Sequence, residues 1–205
     1  MPRAPSRSSQ LRRQQAIETL LELASERPPS QIRTAQISER MGLSEAALFR
    51  HFPSKESLWL ATLEHGIALA WQPIDHLLRS PRSETRPLDA LRELLRLQFS
   101  INRTLPGLRP LIFHELQNRA PGACRGVVIN HLERLRQRLE DLVGLAQRHR
   151  ELSPEMSSAT LADTLLALML GVLLQEQIRG GDPGEAETQL EASLGQLLLP
   201  LRRPR

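Results

Sequence analysis

Residues 34–58 read TAQISERMGLSEAALFRHFPSKESL, and this stretch decides the fold. Thr34 is a good N-cap ahead of a short helix holding Ile37 and Met41, and Gly42 supplies a left-handed turn that redirects the chain. Ser44 caps a second short helix carrying Leu48 and Phe52. Pro53 stops that helix, and Ser54 opens another with Leu58, Ala61 and Leu63 inside it. Helix, glycine turn and short helix make a helix-turn-helix over residues 34 to 52. Leu48 and Phe52 are four apart and face the preceding helices, so Glu45, Ala46, Phe49 and Arg50 are turned away from that core.

Upstream, Ile17, Leu20, Leu21 and Ala24 line one face of a helix over 12–27, and Pro28-Pro29 ends it. Arg3, Arg7, Arg12 and Arg13 precede the first acidic residue, Glu18, which makes 1–11 a basic arm, expected to be disordered. Downstream, helices are expected over 54–78, with Pro73 as a kink or break, and over 88–103, 107–118 and 123–150. A further helix capped by Ser153 runs to 179, and the last spans 185–199. Residues 79–87 read as a linker, 180–184 as a loop and 202–205 as a tail. The expectation is an all-α chain of about nine helices without a strand. The absence of Tyr and an aromatic share of 3% fit it, because strands favour aromatic side chains.

The formal net charge is +4, and 26 of the 27 basic residues are arginine, Lys55 being the exception. A single cysteine, Cys124, excludes an intramolecular disulfide and suits a reducing compartment, as a small buried thiol. No secretory pattern opens the chain, so a cytoplasmic location is expected. The apolar run 161–174 contains Asp163 and Thr164 and is too short to span a bilayer, so no membrane partner is expected. The six histidines, among them His65, His76, His114 and His131, include no pair at the spacing that puts two imidazoles on one helical face. Neither a metal nor a cofactor is expected. Glycine loops for phosphates or dinucleotides, nucleophile elbows and paired carboxylates are also missing, which argues against an enzyme.

Residues 34–58 resemble the signature of the TetR family of transcriptional regulators: a Thr-capped helix, a Gly turn, a recognition helix ending in Tyr-x-His-Phe, and Ser-Lys opening the next helix. The resemblance implies a helix-turn-helix DNA-binding domain at 12–55 and an effector-binding and dimerisation bundle at 56–201. It also implies that Glu45, Ala46, Phe49 and Arg50 approach base edges while Arg12, Arg13, Thr34, Ser44, Ala47, His51 and Lys55 lie near phosphates. Helix N-termini at Thr34 and Ser44 favour an anion, which agrees. The family usually has Tyr where Phe49 stands. A phenyl ring can offer only apolar contact, for instance to a thymine methyl, and Arg50 is the candidate for bidentate reading of guanine.

The same resemblance implies a homodimer on double-stranded DNA with a palindromic operator, repression, and release by a small apolar effector. Candidates for the effector pocket are Trp71, His76, Phe99, Phe113, His114, Gln117, Met169 and Gln175. Candidates for the dimer interface are Ala162, Leu165, Leu168, Gly171, Leu190, Leu194 and Leu197. Two alternatives stand beside this reading: a nucleoid-occlusion type division regulator of the same family, and a helical ligand carrier or enzyme.

Overall fold

A computed structural model describes residues 7–118, 120–179, 183–199 and 201. Among them are ten α-helices and no strand: α1 (Arg7–Glu26), α2 (Thr34–Arg40), α3 (Glu45–His51), α4 (Lys55–Arg79), α5 (Pro81–Thr85), α6 (Pro87–Thr104), α7 (Leu108–Gln117), α8 (Ala123–Arg148), α9 (Ser158–Arg179) and α10 (Pro183–Leu198), with a 3-10 turn at Pro29–Gln31.

Several local expectations need correction. Residues 7–11 are helical and continue α1; the rest of the expected arm and Arg202, Arg203 and Arg205 lie outside the described residues. Thr34 is the first helical residue of α2 and not its cap, which is Arg33; the Arg33 amide donates to the Gln36 side chain. Pro73 sits inside an uninterrupted α4. The expected linker folds one helical turn, α5, because Pro81 occupies the first turn, where its missing N–H costs nothing. That turn is the tenth helix. Ser157, not Ser153, caps α9, accepting from the Thr160 amide. α9 extends beyond 161–174 at both ends, and by length and composition it could cross a bilayer.

The chain divides into two compact units: residues 1–69 with 104–130, and 70–103 with 131–205. The first therefore takes in α7, which packs on α1 and on the 3-10 turn, beyond the boundary expected at 55. Within it, Ala16, Leu20, Leu23, Ile32, Ile37, Leu48, Phe52, Leu58 and Leu63 form the core. Arg40 pairs with both carboxylate oxygens of Glu26 at 2.5 and 2.9 Å, joining α2 to the end of α1.

In the second unit the core runs through Leu91, Leu94, Leu95, Phe99, Leu135, Leu139, Leu165, Leu190 and Leu194. Buried His131 accepts a hydrogen bond at its Nδ1 from Trp71 Nε1 at 3.0 Å. The Arg134 guanidinium lies 3.6 Å from the Trp71 centroid and pairs with Asp75 at 2.8 Å. Burial, with Arg134 nearby, pushes the imidazole down to about 4 from an ordinary 6.5. His131 is thus neutral when folded and binds a proton near pH 6.5 when unfolded. Its contribution is complete above pH 6.5 and is lost as pH falls towards 4, a change of up to about 3 kcal/mol. Urea unfolding at pH 7.5 and at 4.5 should show wild type losing this amount relative to His131→Gln, which keeps an acceptor for Trp71. Equal losses in the two proteins would refute the assignment.

Candidate DNA-binding surface

α3 is placed by its own sequence. Gly42 has φ 66, the left-handed conformation that lets α2 end and the chain turn, and a side chain there would meet no neighbour. The constraint is therefore conformational. Ser44 then caps α3, accepting from the Ala47 amide at 3.2 Å. Leu48 and Phe52 are each 1% exposed and seat α3 against α1 and α2. The opposite face carries Glu45, Ala46, Phe49 and Arg50, all exposed, with Phe49 41% open. A phenyl ring left this open keeps a large apolar surface available for a partner.

The phosphate candidates are less uniform. Ser44 is exposed, while Ala47, Thr34 and His51 are half-buried. The Thr34 hydroxyl donates to Glu45 at 2.5 Å, which links a phosphate candidate to a base-reading candidate and holds the N-terminal end of α3 to α2. Arg12 is exposed and donates to Gln15. Arg13 is directed inward: its guanidinium donates to the His51 carbonyl and stacks 4.1 Å over the Phe52 ring. It fastens the end of α3 to α1. The Ser9 hydroxyl and His51 Nδ1 lie 3.4 Å apart.

Lys55 also has partners within the protein. Its ammonium donates to the Ile32 carbonyl at 2.6 Å and lies 4.8 Å from the Trp59 centroid, and burial lowers its pKa. A cation in the first turn of α4 is therefore accounted for without a phosphate. The one-turn spacing of Lys55 and Trp59 is the mark this contact leaves in the sequence.

The other two candidate sets fare differently. Phe113, His114 and Gln117 belong to the first unit; Trp71, His76, Phe99, Met169 and Gln175 belong to the second. His76, Gln117 and Gln175 are exposed rather than buried, and Gln175 accepts from Gln189. Trp71, Phe99 and Met169 are packed core. Of the interface candidates, Ala162, Leu165, Leu190 and Leu194 are fully buried within their own unit and have no surface to offer a second chain; Leu168, Gly171 and Leu197 remain half-exposed. The large apolar residues left exposed here are Leu174 and Ile178 on α9 and Leu199 just after α10.

A seated short helix that presents an exposed apolar-and-basic face, within an all-helical chain, defines a helix-turn-helix protein. Residues 16–62 match the model of bacterial regulatory proteins of the tetR family, so over this stretch the chain is similar to that family. The nucleoid occlusion factor SlmA of Haemophilus influenzae is 32% identical over 126 residues, covering 58% of this chain and 56% of its own length. SlmA of Shewanella pealeana is 28% identical over 179 residues, 80% of this chain and 82% of its own. The chain spans about half the length of the first such relatives. A transcriptional regulator of Saccharomonospora viridis, crystallised with choline, superposes with a TM-score of 0.78 at 20% identity over 95% of this chain and 100% of that one. The regulatory protein TetR of Rhodobacter sphaeroides gives 0.74 at 20% identity, over 90% and 97%. At these identities the structural likeness establishes the fold.

Proposed function

We propose that the chain is a DNA-binding transcriptional regulator that acts as a homodimer on a palindromic operator in the cytoplasm. The observation that carries this reading is the exposed face of α3, on which Glu45, Ala46, Phe49 and Arg50 stand clear of the core. A short helix so mounted fits the major groove. Ser44, Ala47, His51 and Arg12 flank it as backbone contacts, and Thr34 joins them where the bond to Glu45 opens. Arg13 serves the site as a positioning residue. Lys55 reaches a phosphate only by exchanging the Ile32 carbonyl for it.

The dimer face lies on the outer side of α9 and α10. Ala167, Gly171, Leu174 and Ile178 recur at helical spacing on α9, opposite its buried residues. A side chain built at Gly171 or at Gly195 would meet nothing, so nothing within the chain requires glycine there. Glycine in mid-helix costs roughly 1 kcal/mol relative to alanine and is explained by the close approach of another helix. This face also accounts for the apolar character of α9 without a membrane.

Electrophoretic retardation of duplexes selected from a random library tests the reading. The wild-type chain is expected to select a palindrome, with affinity falling steeply as salt rises. Arg50→Ala should relax one base position by roughly 1–3 kcal/mol, whereas Lys55→Ala should weaken all sequences about equally. Unchanged selectivity in Arg50→Ala would remove α3 as the reading helix.

A second reading is favoured by the SlmA relatives: a nucleoid-occlusion type regulator, which binds DNA through the same head. Binding of the operator-bound protein to the cell-division polymer separates the two, since only the second reading requires it. Response to a small effector is the remaining part of the proposal. Trp71, Phe99 and Met169 are packed core and take no part in it.

A further inference from the structure

Glu45 is the only acidic residue of α3, and it stands on the exposed face beside Ala46, Phe49 and Arg50. A carboxylate there is not neutral towards DNA, because the phosphates repel it. The Thr34 hydroxyl donates to Glu45 Oε2 at 2.5 Å, across 11 residues and from one helix to the next. The other oxygen, Oε1, takes no donor among the described residues. Thr34 is half-buried at the start of α2, and α2 packs on α3, so the hydroxyl is a fixed post to which an exposed glutamate is tied. Without that bond a long exposed side chain samples several rotamers and offers no acceptor at a set position.

A hydroxyl has one proton, so Thr34 can serve Glu45 or a phosphate and not both. With the bond closed, the carboxylate presents one free acceptor and no donor. That requirement discriminates among bases in the major groove. Guanine shows two acceptors there, and thymine shows an acceptor beside its methyl group, so both turn oxygen or nitrogen lone pairs towards a carboxylate. Adenine sets its donor next to the N7 acceptor, a pattern that an amide matches and a carboxylate does not. Cytosine shows only its N4 amino donor, which one free carboxylate oxygen satisfies. A glutamate that only steadied the first turn of α3 would need its charge and no tether to α2.

We propose that Glu45 specifies a cytosine in each half-site, accepting from the N4 amino group through Oε1, and that Thr34 is a positioning residue which holds Glu45 for this contact. On such a site the bond stays closed and Thr34 makes no phosphate contact. The proposal rests on the reading of α3 as the recognition helix and names the base that one of its residues reads.

The test is selection of duplexes from a random library by the full chain and by Glu45→Gln, Thr34→Val, Thr34→Ser and the Thr34→Val, Glu45→Gln pair, followed by retardation titrations on the selected sites. The position whose preference Glu45→Gln changes is expected to be a cytosine, preferred by wild type about tenfold or more over the other bases. Thr34→Val should lose most of that preference at the same position, and Thr34→Ser, which keeps the hydroxyl, should retain it. The double variant should be no less selective than Glu45→Gln alone, because the two residues act through one contact. Thr34→Ala replaces Thr34→Val if the valine variant does not fold. Loss of the Thr34 hydroxyl that weakens every sequence alike with base preference intact would make Thr34 a phosphate contact and overturn the proposal. Glu45→Gln with wild-type preference at every position, or with a change at a base other than cytosine, would overturn it too while leaving α3 as the reading helix. A wild-type chain that retards no duplex would overturn the recognition-helix reading, and the proposal with it.

Discussion

Leu174→Glu combined with Ile178→Glu is expected to give a folded monomer that binds operator DNA at least about 100-fold more weakly than wild type. The first half of the expectation rests on exposure. Leu174 is 41% and Ile178 75% open within the chain, so the substitutions remove little packing, and helical content and the unfolding midpoint should hardly move. The second half rests on what a partner would bury. Carboxylates taken into an apolar helix-helix contact without partners cost several kcal/mol, enough to dissociate a dimer of ordinary affinity. A monomer then grips one half-site and forfeits the linked second contact, whose effective concentration in a dimer is of order millimolar, which is the source of the loss. Light scattering after size exclusion reads the assembly, and gel retardation reads the DNA. A dimer that persisted with full DNA affinity would show that Gly171, Leu174 and Ile178 face nothing, and the interface would have to be sought elsewhere.

How far the sequence could be read follows from the range of the interactions involved. Gly42, Ser44, Leu48 and Phe52 are local: a left-handed turn, a cap within three residues and a pair one turn apart each leave a mark in a few consecutive letters. That is why α3 and its exposed face were legible. Lys55 and Arg13 were not, because the Ile32 carbonyl is 23 residues from the one and His51 is 38 from the other. Each looked like a free cation and is a fastener. On α9, leucine occurs on every side, so periodicity cannot separate the face that meets α10 from the face left open, and core Leu165 is indistinguishable in sequence from an interface residue. α5 has five residues and begins with Pro81, too short a span for any period to register. A cleft in the first unit joins residues as distant as Trp59 and Cys124, and so is visible only in three dimensions.

Gly107→Ala should cost about 3 kcal/mol or more and lower the unfolding midpoint by roughly 6–12 °C. Backbone conformation is not the reason, since φ at Gly107 is −79°, open to any residue. The reason is approach. A Cβ built there would fall 1.8 Å from the Leu21 carbonyl oxygen and 2.6 Å from its carbon, both backbone atoms of α1 in mid-helix. A helix backbone cannot step aside as a side chain can, so α7 must lift away from α1. Gly66→Ala is the control. Its Cβ would fall 2.6 Å from Leu108 Cδ1, the far end of a rotatable side chain, and the cost should stay near 1 kcal/mol. Because α1 also carries α2 and α3, Gly107→Ala is expected to weaken DNA binding without altering base preference, the opposite pattern to Arg50→Ala. Equal stability losses at Gly66 and Gly107 would mean that α7 is free to shift on α1, and the close seating of the two helices would then be no part of what holds the reading head.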